Sequence, residues 1–209
     1  MTTPLPADAE TLFARLRDSL KDALGASCNG LAQEGPDALA GVDPTMPVGE
    51  SAAGSGSEAA QAGSADAPAF IGIHTGGAWL AARLHAELGL SSPLGILSSA
   101  FYRDDVQARG LSMRMQPTRI DFDVNGRDIV LVDDILHTGR TIRAALNEIF
   151  DYGRPARVRL AVLIDRGERE LPVQPDHVGT RLVLQPGEKL ALSQRTNGMF
   201  ELRVETVQA

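Results

Sequence analysis

Cysteine is nearly absent from this sequence, since Cys28 is the only one in 209 residues. A single cysteine excludes an internal disulfide framework and a metal site built from several cysteines. Long hydrophobic runs are missing too, and no stretch approaches the roughly 18 consecutive apolar residues of a membrane span. The first ten residues lack the basic and apolar regions of a secretory signal. These absences predict a soluble, cytoplasmic protein with no membrane partner.

Positive charge is missing from one long segment. No Lys or Arg occurs between Gly25 and Pro68, whereas six acidic residues do. The whole chain has a formal net charge of −7, and setting those six aside leaves 21 acidic residues against 20 basic ones. The rest of the chain is therefore near neutral, and its charge alone does not favour a polyanionic partner.

The same segment also lacks aromatic residues, which make up only 4% of the chain. Residues 30–68 consist mainly of Gly, Ala, Ser and Pro with scattered acids, a composition that buries too little apolar surface to offset the cost of ordering it. Before them, apolar residues at helical spacing predict a helix over 8–24, with Gly25 as its stop. We therefore expect a single domain over 1–209, in which 30–68 is a disordered insertion.

Short apolar runs alternate with helical patterns after residue 68. This alternation predicts right-handed crossovers and an α/β fold, an open and mostly parallel sheet flanked by helices. The predicted strands are 70–73, 94–100, 129–132 and 158–164, and the predicted helices are 78–88 and 140–152. Apolar runs at 182–184, 190–192 and 200–204, around a turn at 196–198, predict a small antiparallel C-terminal appendage.

One stretch, IVLVDDILHTGRT over residues 129–141, combines features of a ligand site. A buried strand ends in two adjacent carboxylates, Asp133 and Asp134, and a short loop then leads into a helix. Ligands of open α/β sheets bind beyond the carboxyl ends of the strands, and a helix N-terminus attracts anions. Gly139 permits close approach of the backbone, and the hydroxyls of Thr138 and Thr141 can donate to phosphate oxygens.

The two carboxylates indicate which anion fits. The Walker A pattern of nucleoside triphosphate sites and the glycine fingerprint of dinucleotide sites are both absent from the sequence. Acids beside a phosphate site need a neutral or cationic group to hold, such as a sugar diol with a divalent cation nearby. Phosphate on the loop and vicinal hydroxyls on the carboxylates together describe a site for a ribose 5-phosphate.

This stretch closely resembles the phosphoribosyl diphosphate (PRPP) motif of the type I phosphoribosyltransferases. The longer run from Val130 to Pro172, together with FYRDD over 101–105, is similar to the PyrR family, which combines pyrimidine operon regulation with uracil phosphoribosyltransferase activity. The resemblance covers residues 70–209 and the N-terminal helix. It implies the type I phosphoribosyltransferase fold, with a small hood beside the sheet.

The resemblance also implies a role for each matching residue. Asp133 and Asp134 would hold the ribose 2- and 3-hydroxyls and reach the metal only through substrate and water. The 5-phosphate would lie on the loop formed by His137, Thr138, Gly139, Arg140 and Thr141, and the pyrophosphate on Thr75, Gly76 and Gly77. The family commonly has Thr-Arg-Gly at the latter positions, so Gly76 removes a cation from that pocket.

Two further regions take roles from the resemblance. Residues 103–119 would form a lid that excludes water, and Arg103, Asp104, Arg109 and Arg114 would contribute its charges. Asp165, Arg166 and Gly167 would border the uracil pocket, and residues 168–180 would complete the hood over the base. His137 stands where members of the PyrR family often carry Tyr.

The implied reaction transfers ribose 5-phosphate from PRPP to N1 of uracil, giving UMP and pyrophosphate with Mg²⁺ as cofactor. The resemblance also implies a homo-oligomer, a dimer or larger. Two alternatives stay open at this point. One is a regulator that acts mainly by binding the leader of pyrimidine-operon mRNA, for which a group of arginines at 143, 154, 157 and 159 is the candidate surface. The other is a phosphoribosyltransferase for a different base.

Overall fold

A five-stranded parallel sheet forms the centre of the computed structural model, which describes residues 3–30, 67–98 and 117–206. The helices are α1 (Ala9–Gly30), α2 (Gly76–Glu87) and α3 (Arg140–Tyr152). The strands are β1 (Ala69–Ile73), β2 (Leu94–Leu97), β3 (Asp128–Leu136), β4 (Arg157–Asp165), β5 (His177–Arg181), β6 (Glu188–Gln194) and β7 (Phe200–Thr206).

The sheet has the strand order β2-β1-β3-β4-β5, with β3 at its centre, and every adjacent pair is parallel. The predicted α/β architecture is therefore confirmed. Both faces of the sheet are covered, which explains the continuous apolar runs: all five residues of β1 are buried, and so are residues 129–132 of β3.

Two hydrophobic clusters hold the helices on opposite faces of the sheet. Helices α1 and α2 pack on one face with Phe70, Val130 and Val132, and Phe200 of β7 joins this cluster beside Phe13, with a ring-centroid distance of 5.4 Å. Helix α3 packs on the other face, together with alternate residues of β1 and β3. Because side chains alternate along a strand, residues 129–132 of β3 point in turn to one face and then the other.

Helix α1 is longer than the sequence predicts. It continues through Gly25 to Gly30, so the placement of its end at Gly25 was wrong. A glycine inside a helix costs only about 1 kcal/mol relative to alanine, which the preceding turns of buried apolar residues can offset. The predicted disordered insertion lies outside the described residues between 31 and 66, so that prediction stays untested.

The strand predictions need two corrections. Residues 182–184 form no strand, and the fifth strand is instead β5, which starts at His177 and runs parallel to β4. Strand β3 does not stop before Asp133 but continues through both acids to Leu136, because its pairing with β4 extends to Asp165. The antiparallel appendage itself is confirmed by the β6–β7 hairpin, with its turn at residues 195–198.

No helix in the described part of the chain has the length and hydrophobicity that a bilayer crossing requires.

Candidate active site

Two buried carboxylates lie near the carboxyl end of the central strand β3. Asp133 is 3% exposed and Asp134 is 9% exposed. One oxygen of each carboxylate accepts a hydrogen bond from the next backbone amide, at 3.0 Å from Asp134 N to Asp133 Oδ1 and 2.9 Å from Ile135 N to Asp134 Oδ1. These local bonds fix the two side chains at the edge of the sheet where ligands of this architecture bind.

The side chains of the two acids lie on opposite faces of the sheet. Val130 and Val132 face α1 and α2, so alternation places Asp134 on the same side. The position of Asp134 is confirmed by its carboxylate, which fills the space where a Cβ of Gly76 would stand, 2.6 Å from the Asp134 Cγ. Asp133 accordingly points to the side of α3. Each acid thus lies on the same side of the sheet as one helix N-terminus.

The loop predicted to hold pyrophosphate connects β1 to α2. Thr75 is the residue before the helix, and its hydroxyl is 2.9 Å from Nδ1 of His74 across a cis peptide bond. Gly77 packs against β3, since a Cβ there would come within 2.9 Å of the Asp133 Cα. The two glycines therefore bring the first turn of α2 directly against the two acids.

The loop predicted to hold the 5-phosphate connects β3 to α3. Gly139 takes a left-handed conformation with φ of 91° just before the helix, which disfavours any other residue at this position. A Cβ at Gly139 would also contact Leu171 and Val173 at 3.4 Å. The Thr138 hydroxyl accepts a hydrogen bond from the Arg140 amide at 3.3 Å. Backbone and hydroxyl groups of this loop thus gather at the N-terminus of α3.

Two carboxylates of the segment after β4 pair with Arg140 and His137 of this loop. Arg140 forms an ion pair with Glu170, with a distance of 2.6 Å from its Nε to Oε2. The Nε2 of His137 lies 3.1 Å from a carboxylate oxygen of Glu168. All four side chains are at least 38% exposed, so these pairs contribute little to stability. They link the phosphate loop to the predicted hood.

The residues predicted to border the base pocket lie at the end of β4. Asp165 is buried, and its Oδ1 accepts hydrogen bonds from the Gly167 amide at 2.9 Å and from Arg169 at 2.5 Å. The side chain of Arg166 is 15% exposed, and its buried Nε has no hydrogen-bond partner among the residues that the structure describes. The structure therefore brings residues 165–167 beside the phosphate loop, while their contact with a base stays a prediction.

Arg169 is the residue of this site that the sequence analysis missed. Its side chain is 19% exposed and contacts the end of β4, the phosphate loop and Val173 of the segment after β4. The hood predicted over 168–180 is too long at its end, because residues 177–180 belong to β5 of the central sheet. No local motif marks it, because its partners are mainly backbone carbonyl groups, two of them more than 30 positions away in sequence. The predicted lid residues Arg103, Asp104, Arg109 and Arg114 lie outside the described residues.

In the described part of the chain the acids belong to no cage of metal-ligating side chains, and they do not line the cavity beside α2. Within the residues that the structure describes, no three His, Cys, Asp or Glu side chains come together in a way that could hold a metal ion. A cavity of about 770 Å³ lies between α2 and the turn of the β6–β7 hairpin and reaches the site only through His74. An ion at Asp133 and Asp134 would therefore need ligands from substrate and water, a mode that Mg²⁺ commonly uses.

Comparison with known proteins identifies the chain's relatives. The model of the phosphoribosyl transferase domain family matches residues 56–184. The bifunctional protein PyrR of Nitrosococcus oceani is 56% identical over 128 residues, which cover 60% of this chain and 72% of that protein. The protein of the same name from Ralstonia nicotianae is 57% identical over 127 residues, covering 61% and 72%.

Solved structures show the same fold at low sequence identity. The hypoxanthine phosphoribosyltransferase of Trypanosoma cruzi is similar with a TM-score of 0.52 and 16% identity, covering 86% of this chain and 81% of that one. A hypoxanthine-guanine enzyme from Leishmania tarentolae, solved with GMP, also has a TM-score of 0.52 and 16% identity, covering 88% and 83%. At this identity the likeness establishes the fold alone.

Proposed function

The chain belongs to the PyrR family of phosphoribosyltransferases, and from this premise we propose that it converts uracil and PRPP to UMP and diphosphate. The observation that carries the proposal is the position of Asp133 and Asp134, buried at the sheet edge between the N-termini of α2 and α3. Two anion-binding helix ends with two carboxylates between them match a sugar that carries phosphate at one end and diphosphate at the other.

Each of the two loops binds one of the phosphate groups of PRPP, the 5-phosphate or the diphosphate. The 5-phosphate lies on residues 137–141, where the N-terminus of α3 and the hydroxyls of Thr138 and Thr141 supply hydrogen bonds. The diphosphate lies on residues 75–77, at the N-terminus of α2. Gly76 provides no cation there, so backbone amides would balance the charge of the leaving group together with a bound metal ion.

Asp133 and Asp134 hold the ribose hydroxyls and stabilise the transition state. The bond from the anomeric carbon to the diphosphate oxygen breaks as the bond to N1 of uracil forms, and the N1 proton is released. Positive charge develops at the anomeric carbon, and two fixed carboxylates in a buried site stabilise it without reorganising. No protein nucleophile is required.

Magnesium fits this site as an ion brought by the substrate. Carboxylate oxygens are suitable ligands for Mg²⁺, which retains several waters and binds through one or two carboxylates together with substrate phosphates. The described residues offer only the pair of adjacent acids and no third ligand. The metal would neutralise the diphosphate as it leaves, while the protein orients the sugar and holds both anionic ends.

Formation of UMP from uracil and PRPP in the presence of Mg²⁺ tests the proposal. We expect turnover with uracil to exceed turnover with hypoxanthine, guanine or orotate by several orders of magnitude, and chelation of the metal to abolish it. If the protein turned over another base and not uracil, the assignment of uracil would be wrong, but the assignment as a phosphoribosyltransferase would stand. Absence of PRPP binding in calorimetry with Mg²⁺ would overturn the transferase function itself.

The outer face of α3 supports a second function, recognition of RNA. Arg143 is exposed on this helix, and Phe150 and Tyr152, which are 48% and 45% exposed, lie near its end, with Arg154 close behind. Exposed aromatic rings beside arginines can stack on unpaired bases while the guanidinium groups contact phosphate. The relatives are named bifunctional, which favours a regulatory activity beside the transferase.

Binding to the leader transcript of a pyrimidine operon tests this second function. We expect the protein to prefer the leader over a scrambled RNA of the same length and the affinity to fall steeply with salt. Replacing both Phe150 and Tyr152 with alanine should abolish the preference but leave UMP formation unchanged, because both side chains are about half exposed and lie at the end of α3 opposite the phosphate loop. Equal binding of leader and scrambled RNA would exclude the regulatory role.

A further inference from the structure

The guanidinium group of Arg169 forms an unusual number of bonds with backbone carbonyl groups around the phosphate loop. Its Nη1 donates to the carbonyl of His137 at 2.7 Å, to that of Gly167 at 2.9 Å and, more weakly, to that of Leu136 at 3.4 Å. Its Nε donates to the carbonyl of Val173 at 3.0 Å. The remaining Nη2 forms the ion pair with buried Asp165 at 2.5 Å.

Three consecutive carbonyl groups, one at the end of β3 and two in the phosphate loop, point toward residues 166–171. The carbonyl of Leu136 accepts from the Arg166 amide at 2.9 Å as well as from Arg169. The carbonyl of His137 accepts from Arg169, and that of Thr138 accepts from the amides of residues 170 and 171 at 3.0 and 3.2 Å. The oxygen ends of these peptide groups therefore all face residues 166–171.

The orientation of these carbonyls fixes the orientation of the amides that follow them. In a trans peptide the N–H of the next residue points opposite to the carbonyl. The peptide bonds of this loop are trans, since the one cis bond in the described residues joins His74 to Thr75. The amides of Thr138 and Gly139 are therefore directed away from Arg169. An anion on the side of the loop opposite Arg169 would therefore face these two amides.

We propose that Arg169 is a positioning residue that orients the phosphate loop for the 5-phosphate of PRPP and UMP. This inference rests on the proposed phosphoribosyl transfer. It adds that the guanidinium group of Arg169 holds the loop in the conformation that binds the phosphate. Arg169 contacts no substrate itself. It acts through the peptide group between His137 and Thr138, whose carbonyl it holds on the side of residues 166–171.

Arginine suits this role better than lysine. Its planar group carries five donors in a fixed fork, and four of its bonds here run to different parts of the chain. Asp165, which is 7% exposed, holds the fork from the opposite side and compensates its charge. The bond to Val173 also secures the residue that packs against Gly139 at the start of α3.

Affinities of Arg169→Met and Arg169→Lys for PRPP and UMP test the proposal. Calorimetry in the presence of Mg²⁺ gives the affinities, and steady-state kinetics gives the KM for each substrate. In Arg169→Met we expect the Kd for PRPP and UMP to rise about 10- to 100-fold, the range seen when groups that orient metal ligands are removed. The KM for uracil should stay within about twofold, since loss of loop orientation acts at the phosphate end of the site.

Arg169→Lys should restore part of the affinity. A lysine can still donate to the carbonyl of His137, but its ammonium group cannot reach all the partners of the fork at once. Arg181→Met is the matched control, because Arg181 also faces Asp165, at 3.7 Å, but is 79% exposed and forms no bond with the loop carbonyls. We expect this control to bind PRPP as the unaltered protein does.

The outcomes distinguish this proposal from the proposed function. If the unaltered protein binds neither PRPP nor UMP, the transferase function fails. If the unaltered protein binds both and a folded Arg169→Met binds them as tightly, only the role of Arg169 fails. If the KM for uracil rose together with the Kd for PRPP, the role of Arg169 would also be overturned, since general destabilisation weakens the binding of both substrates. If Arg169→Met does not fold, the PRPP affinity of Arg169→Lys decides, and an unchanged value overturns the proposal.

Discussion

Asp133 and Asp134 combine deep burial with a polar function. A buried carboxylate is costly unless hydrogen bonds compensate it, and each acid accepts one from the backbone amide of the following residue. In the proposed reaction the ribose hydroxyls and the developing charge at the anomeric carbon supply further partners.

Replacing both acids with asparagine tests this role. We expect Asp133→Asn with Asp134→Asn to lower kcat by at least about 100-fold, the size of effect found when a preorganised electrostatic group is removed. The fold should persist, because the amide oxygen of asparagine can still accept the backbone hydrogen bonds. Turnover assays with circular dichroism as the folding check measure both.

Asp128→Asn is the matched control, because Asp128 stands at the opposite end of the same strand in an exposed ion pair with Arg157. This substitution should leave kcat unchanged. Turnover close to normal in the double variant would contradict the roles assigned to the two acids.

Gly76, which stands where the family commonly has arginine, allows close packing of α2 on β3. The absence of a side chain leaves room for the carboxylate of Asp134, so the first turn of α2 can approach β3 closely. The family resemblance indicates that a cation is missing at this position. The structure indicates that the carboxylate of Asp134 occupies the space that a side chain at position 76 would need.

Gly76→Ala should displace the Asp134 carboxylate, since the new Cβ would lie 2.6 Å from its Cγ. We expect kcat to fall about 10- to 100-fold, the cost of a small misplacement of a reacting group. Steady-state kinetics measures this effect. Gly25→Ala is the control, since Gly25 lies within α1 and a Cβ there would meet nothing within 4 Å. Equal activity in Gly76→Ala and the unaltered protein would show that the carboxylate adapts without cost.

At the scale of single residues, the sequence predicts the acids and both loops but not Arg169. The acids and loops belong to continuous motifs in which neighbours along the chain are also neighbours in space. Arg169 acts on carbonyl groups of residues 136 and 137, and any residue type can offer a carbonyl. A contact between a side chain and distant backbone leaves no pattern in a single sequence.

At the scale of elements, strand β5 was missed for a physical reason. Its five residues, HVGTR, include glycine and two basic residues and lack the alternation typical of a strand. Pairing with β4 and the packing of α1 over Gly179 form the strand nonetheless, since a Cβ at Gly179 would approach the Leu12 backbone. Tertiary contacts override local preference at a sheet edge.

The contact between α1 and β5 makes stability depend on pH. Burial of His177 lowers the pKa of its imidazole below the ordinary 6.5, nearby Arg159 lowers it further, and Asp176 opposes the shift. The unfolded chain therefore takes up a proton near pH 6.5, whereas the folded protein does so only at lower pH. The contribution of His177 to the free energy of unfolding is fully present above about pH 6.5, and it is lost as the pH falls through the pKa of the folded state.

We expect the melting temperature to fall as the pH is lowered from above 6.5 through the folded pKa of His177, and His177→Gln to flatten this decline. Thermal unfolding followed by circular dichroism across this range measures both. Glutamine can still bond to the Ser19 hydroxyl, which lies 3.0 Å from Nδ1 of His177, so the variant should remain folded. Glu10 and Glu188, whose pKa values lie below 4.5, act only at more acidic pH. An identical decline in the variant would exclude His177 as its source.

At the scale of the whole molecule, residues from both ends of the chain complete one core. Phe13 of α1 packs on Phe200 of β7, and the guanidinium of Arg83 lies 4.4 Å from the Phe13 ring centroid. Arg83 is also paired with Glu10 at 2.7 Å. Contacts with distant parts of the chain thus hold helix α1 on the core.

Replacing residues 31–66 with a Gly-Ser linker of the same length tests whether the core needs the native insertion. We expect the melting temperature to change by less than about 2 °C, because the composition of the insertion offers little apolar surface to bury and a loss near 1 kcal/mol would already shift it by about 2–4 °C. Leu16→Ala is the comparison, since removal of this fully buried side chain from α1 should cost about 2–5 kcal/mol. If the linker variant lost as much stability as Leu16→Ala, the insertion would have to pack on the core, and its assignment as disordered would be wrong.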